Sequence, residues 1–400
     1  MFLRSMSGES KKYSWKNVRN LGFVSFFTDT SSEMIFGILP LFIIDDLGAG
    51  KAVLGLVEGM GEAAGYGTRT VSGTISDKVG KRKSLILLGY GLSTIAKPFF
   101  ALSASWIHVF GIRVTDRIGK GVRTSPRDAL LADSIEPVNI GKAFGLHRTM
   151  DQAGAIIGPL IAFGLLYYFE VRDIFWFSLI PGVIALFILA RYVKERKIIP
   201  KNQSILSNFR VVLHGKFLLF LLIMTVFSIG AFNFSFILVE SSELGLEKNF
   251  VPLVYVVINI AHTLIGIPSG ILSDKIGTEK ILLASFGLFF ITSMIGYFET
   301  GFILVGFAMA AIFGLYQGMT ITTQRTMVSR YVSENLRGTA FGIYYLFVGI
   351  SFLVANLVFG LLWDAFDSQV AFGYSMITTI TAIILLSVFV TKNKQIVSQK

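Results

Sequence analysis

The octapeptide GTISDKVG, residues 73–80, returns 197 positions later as GILSDKIG, residues 270–277. At the same displacement GKAFG, residues 141–145, is answered by GTAFG, residues 338–342, and Lys120-Gly121 by Gln317-Gly318. Three matches at one spacing mark an internal duplication. The longest polar connection, with Pro200, Asn202 and Ser204, lies between the copies. The expected domains are therefore residues 1–192, a linker of residues 193–216, and residues 217–400.

A chain that is 53% hydrophobic and 15% charged, with a mean hydropathy of +0.67, is too apolar for ordinary soluble domains. It reads as a polytopic membrane protein. Twelve stretches near the ~20 residues that a bilayer requires fall at residues 18–43, 52–75, 84–103, 106–131, 142–168, 173–192, 217–239, 251–272, 280–298, 302–329, 339–363 and 370–391. The expected fold is all-α, with twelve transmembrane helices in two pseudo-symmetric six-helix bundles related as parallel repeats. The first span is no signal peptide, because it contains Asp29 and Glu33 and no small-residue cleavage site follows. Lys and Arg crowd one set of loops and ends, which places both termini in the cytoplasm and the chain in the cell's inner or plasma membrane. The formal charge of +11 follows that topology and indicates no nucleic acid. With no cysteine and four scattered His, no metal or cofactor is expected. The absence of a nucleotide loop, a catalytic triad or a separate soluble domain argues against an enzyme.

The fourth span, WIHVFGIRVTDRIGKGVRTSPRDALL at residues 106–131, carries a ladder of charges. Arg113, Asp116, Arg117, Lys120, Arg123 and Arg127 recur at steps of three and four, which puts them on one helical face. Ionisable groups at bilayer depth are costly unless they face a bundle interior or a wet cavity, so the stripe is a functional candidate. Arg123, Arg127 and Asp128 have a second reading as interfacial anchors. Asp29 and Glu33 stand four apart on the first span, and Glu58 and Glu62 four apart on the second, with Arg69 seven further on. Paired carboxylates in a low dielectric cannot easily both ionise, so one of each pair should hold a proton. The proton-coupling candidates are Asp29, Glu33, Glu58, Glu62, Arg113, Asp116 and Arg117. His147, Arg148 and Asp151 extend that network, with His147 read first as a structural hydrogen-bonder. Lys97 reads as buried and paired. The seventh and tenth spans are aromatic and neutral, and Phe232, Asn233, Phe236, Tyr316 and Gln317, with Arg113 and Arg117, form the substrate-binding candidates.

The segment from Gly73 to Lys83 resembles the signature loop of the major facilitator superfamily, with Gly73, Asp77, Gly80, Lys81 and Arg82 in the defining positions. The resemblance implies a conformational clasp. The second copy keeps Asp274 but replaces the basic triplet with Thr278-Glu279-Lys280, implying a weaker one. RIGKG at residues 117–121 resembles the family's Arg-x-x-Gln-Gly pattern with Lys120 in place of Gln, so Arg117 or Arg113 holds the role of buried base. Gly145, Gly154, Gly158 and Pro159 resemble the motif of the superfamily's antiporters, although Ala162-Phe163 stands where that motif ends in two glycines. These likenesses, closest to the proton-coupled drug-efflux branch, imply alternating access with spans one, four, seven and ten around the cavity. The expected function is export of a small amphipathic or cationic organic compound in exchange for protons. The alternatives are transport of an organic anion bearing carboxylate or phosphate, for which Arg is well suited, and a membrane sensor that transports nothing. Substrate, protons and the lipid bilayer are the expected partners of a monomer.

Overall fold

Within a bilayer, backbone polar groups must be satisfied internally, so long apolar segments are confined to helices or closed barrels. The computed structural model describes residues 14–195, 212–298, 301–333 and 336–398, and among these the long elements are all helical. Most of the expected linker, residues 196–211, and the side chain of Asp77 lie outside the described residues. The helices are α1 (Trp15–Phe36), α2 (Lys51–Val79), α3 (Arg82–Ala96), α4 (Trp106–Asp133), α5 (Ile140–Leu165) and α6, in two pieces (Val171–Phe177 and Leu179–Tyr192). There follow α7, also in two pieces (Gly215–Gly230 and Phe234–Glu243), α8 (Val251–Ile276), α9 (Thr278–Tyr297), α10 (Leu304–Tyr331), α11 (Arg337–Ala365) and α12 (Ser368–Ser398). Each lies on the stretch expected for it. Nine of the described spans are long and apolar enough to cross a membrane. The other three, α2, α4 and α5, are 29, 28 and 26 residues long and carry most of the ionisable residues singled out above.

Packing gathers the chain into two units, Met1–Phe36 with Ala64–Gln203, and Gly37–Ala63 with Ser204–Lys400. The boundary departs from that of the duplication at residues 37–63. In the second unit, Gly37 brings the chain against Pro252 and Tyr255 of α8, 3.6 and 3.5 Å from where a Cβ would stand. The first amides of α2, at Lys51 and Ala52, donate to the Asp364 carboxylate of α11 at 2.9 and 2.8 Å. Gly59 abuts the Leu353 backbone of the same helix, 2.9 Å from an added Cβ. Small residues let helix backbones approach where no hydrophobic force drives association.

In the first unit, Val18, Leu21, Ile86, Tyr90, Leu130 and Leu189 belong to an apolar cluster drawn from α1, α3, α4 and α6. Glycines fix the crossings. A Cβ on Gly119 of α4 would stand 2.7 Å from the Gly89 carbonyl of α3, and Gly158 of α5 lies against the Thr30 carbonyl of α1 at 2.6 Å. In the second unit α7 breaks at residues 231–233, and neighbours satisfy both broken ends. Tyr374 and Ser375 donate to the carbonyls of Ile229 and Gly230, each at 2.7 Å. Asn233 caps the second piece by accepting from the Ser235 amide at 2.9 Å, while its own amide donates to Asn356 at 2.7 Å.

The duplication is written in these contacts. Gly121 lies against the Gly65 carbonyl and Thr68, and Gly318 against the His262 carbonyl and Ile265. Gly73 packs on Ser125, and Gly270 on Thr322. Every member of the second set is numbered 197 above its counterpart.

Candidate functional site

The close crossing of α3 and α4 brings Ser93 onto Asp116, whose carboxylate accepts its hydroxyl. Arg113 lies one turn away, with Nη1 3.9 Å from the same carboxylate. The guanidiniums of Arg113 and Arg117 stand over the Phe36 ring of α1 at 4.0 and 4.9 Å, a favourable cation–π arrangement where water is excluded. Lys97, where α3 tightens into a 3₁₀ turn before Pro98, is fully buried and donates to the hydroxyls of Ser31 and Ser32 of α1 at 2.8 and 3.1 Å. Those serines are the partners that the sequence left unassigned.

Four of the six ladder residues, Arg113, Asp116, Arg117 and Arg123, are buried. Lys120 is exposed, a correction to the uniform stripe. Arg123 stacks on Tyr90 at 4.3 Å. Arg127 holds Asp128 through two bonds of 3.1 and 2.9 Å, and Asp128 is 3.9 Å from Arg69. The lower charges are thus tied to other helices of the unit.

Asp29 departs further from expectation. Its carboxyl hydrogen-bonds that of Asp151 on α5, instead of pairing chiefly with Glu33 on its own helix. Asp151 also accepts from Ser25 at 2.6 Å and from Arg148 at 2.9 Å. Glu33 is buried, whereas Asp29 is half-buried. Glu58, buried, and Glu62, half-buried, belong to the second unit.

The aromatic candidates lie in the second unit's core. Phe232 packs on Phe289, Phe359 and Phe372 with ring centroids 4.9, 4.8 and 5.3 Å away. Phe236 packs on Phe359 at 4.6 Å and on Trp363 at 5.9 Å. Tyr316 joins the same cluster through Phe289 at 4.8 Å, and Gln317 is half-buried. Packing and the cap at Asn233 account for Phe232, Asn233 and Phe236, because the break in α7 turns them inward among rings.

Around the signature loop, Arg82 pairs with Asp133 of α4, while Lys83 donates from its amide to Glu195 and from Nζ to the Ala190 carbonyl, both at 2.9 Å. Lys81 and Asp274 are exposed, and Gly80 takes the positive φ of +66° that its turn requires. In the second copy Glu279 pairs with Arg330 at 3.3 Å and accepts from the Tyr331 hydroxyl at 2.9 Å. Glu279 and Arg330 occupy the positions of Arg82 and Asp133 displaced by 197. The copy expected to be the weaker clasp keeps this ion pair, with its polarity reversed.

Duplicated helices and paired signature loops decide the kinship, and the Major Facilitator Superfamily model matches residues 21–241 and 218–399. The chain belongs to the Major Facilitator Superfamily. It is 34% identical to an uncharacterised MFS-type transporter of Methanocaldococcus jannaschii, over 93% of this chain and 94% of that one. A shorter likeness, 29% over 34% of this chain and 33% of the other, links it to the multidrug resistance protein MdtH of Photorhabdus laumondii. In fold it is similar to a mutant of the nucleoside transporter NupG, with a TM-score of 0.79 at 12% identity, covering 94% of this chain and 99% of that one.

As a superfamily member the chain is a membrane transporter and not an enzyme. Its antiporter-like glycines divide by role. Gly154 and Gly158 press on the backbone of α1, whereas Gly145 has open space where a Cβ would stand, and Pro159 lies within α5. Sequence reasoning kept Asp151 at the margin of the network. The signal that could have raised it was Gly154, three positions on, which marks the turn of α5 that abuts α1.

Proposed function

We propose that the chain is a secondary active transporter that works by alternating access and exports a small amphipathic or cationic organic compound in exchange for protons. The observation that carries this reading is the set of ionisable groups on α1, α4 and α5 held inside one unit, with the half-buried Asp29 among them. Such groups are rare in membrane-spanning helices and mark proton or substrate pathways. The partial likeness to a multidrug resistance protein supports the choice of substrate class. The excess of Lys and Arg in one set of loops supports an inner-membrane protein with both termini in the cytoplasm.

One observation favours a second reading. Lys97, Arg113 and Arg117 are buried around the single buried acid of the α4 ladder, Asp116, and guanidinium groups recognise carboxylate or phosphate well. Proteoliposomes with an imposed pH gradient separate the two. Accumulation of ethidium against its gradient, driven by proton flow the other way, supports cation export. Accumulation of carboxyfluorescein supports the anion reading, and a flux of either dye indifferent to the pH gradient contradicts proton coupling.

A further inference from the structure

A Cβ on Gly154 of α5 would stand 3.1 Å from the Thr30 amide of α1, so the two backbones nearly touch there. Asp29 adjoins Thr30, and Asp151 precedes Gly154 by less than one turn, which is why their carboxyls meet. A hydrogen bond between two carboxyls contains a proton. Asp151 Oδ1 accepts from Ser25 at 2.6 Å and Oδ2 from the Arg148 guanidinium at 2.9 Å, so Asp151 is the ionised member. The proton of the pair therefore sits on Asp29.

The surrounding groups fit a site that loads and unloads. Glu33 of α1 and Lys120 of α4 face Asp29, and Arg127 of α4 with His147 and Arg148 of α5 face Asp151. His147 is 5% exposed, and its Nε2 makes no hydrogen bond among the described residues. Asp29 is half-buried, and the Arg148 side chain is 50% exposed, so the pair is not sealed inside its unit. We propose that the neutral Asp29 carboxyl, hydrogen-bonded to Asp151 beside His147, is where the coupled proton is taken up and released. On release the Asp29 O–H bond breaks, the proton passes to water, and Asp29 is left as a carboxylate against Asp151. Two adjacent carboxylates repel in a low dielectric, and the strain falls on the glycine-lined contact between α1 and α5. The proton thereby acts on a helix contact, with Arg148 keeping Asp151 charged throughout.

This inference rests on the proton-driven reading above, and its test is chosen to separate the two. Infrared difference spectra of purified protein at neutral pH, wild type minus Asp29→Asn, are expected to contain a neutral-carboxyl C=O stretch that shifts in D₂O. The wild type minus Glu33→Gln spectrum is expected to lack that band. Its absence from the Asp29→Asn difference spectrum overturns the assignment, whatever the transporter carries. In proteoliposomes with ethidium as probe, Asp29→Asn is expected to lose gradient-driven accumulation but keep dye exchange at equal pH, and Asp29→Glu to restore accumulation. If the band is present while wild-type flux ignores the gradient, the proton site stands and the exporter reading fails. If wild-type flux is proton-driven and Asp29→Asn retains it, the site fails and the exporter reading stands.

Discussion

Asp116 sits between Ser93, Arg113 and the charge of buried Lys97, and that enclosure decides what its loss would do. Asp116→Asn keeps the shape but removes a buried carboxylate charge that Arg113 and Lys97 face. Breaking a buried pair in this way costs about 3–5 kcal/mol. Thermal unfolding of the purified protein in detergent should show a melting temperature lower by several degrees. The ladder was legible in sequence because a helical wheel gives direction. The exposure of Lys120 was not legible, since a wheel does not say what stands opposite. The same limit hid Asp151 as the partner of Asp29: spacing along one helix favours Glu33, and the true contact crosses to a neighbour through Gly154.

Helices here meet through glycine, and the crossings can be tested in pairs. Gly121 and Gly318 make equivalent contacts in the two repeats, so Gly121→Leu and Gly318→Leu should each destabilise by about 1–3 kcal/mol or more through overpacking. Gly111→Ala, within α4 with open space around it, should be neutral or raise the melting temperature, because Ala is favoured over Gly in a helix interior by about 0.5–1 kcal/mol. Asn233→Ala removes the cap of the broken α7 and should cost about 1 kcal/mol. The reversed ion pairs make a further prediction. Arg82→Asp should weaken the α3–α4 contact, and adding Asp133→Arg should recover most of the loss, a coupling of about 1 kcal/mol or less for a partly exposed pair. The ends of the spans were readable from hydropathy, as were the Gly and Pro residues that punctuate them. The break in α7 was not, because residues 231–233 look like ordinary apolar helix until Tyr374, Ser375 and Asn356 supply the partners for its freed backbone.

At the scale of the whole chain, duplication was the strongest signal, and it carries through to the glycine contacts and the ion pairs displaced by 197. What the repeats do not share is chemistry. Arg113, Asp116 and Arg117 correspond to Ala310, Phe313 and Gly314, so one repeat carries charge where the other packs apolar groups. That asymmetry was visible in the sequence, whereas the grouping of residues 37–63 with the second unit was not, since it depends on contacts to α8 and α11 made far along the chain. The central claim, that the charged repeat couples protons to a moving substrate, is tested most directly by reversing the flow. Proteoliposomes holding the protein and a trapped pH-sensitive dye, given an ethidium gradient and no initial pH difference, should show protons moving opposite to ethidium. Ethidium movement through the protein with no change in internal pH, or with protons moving alongside it, would contradict the account.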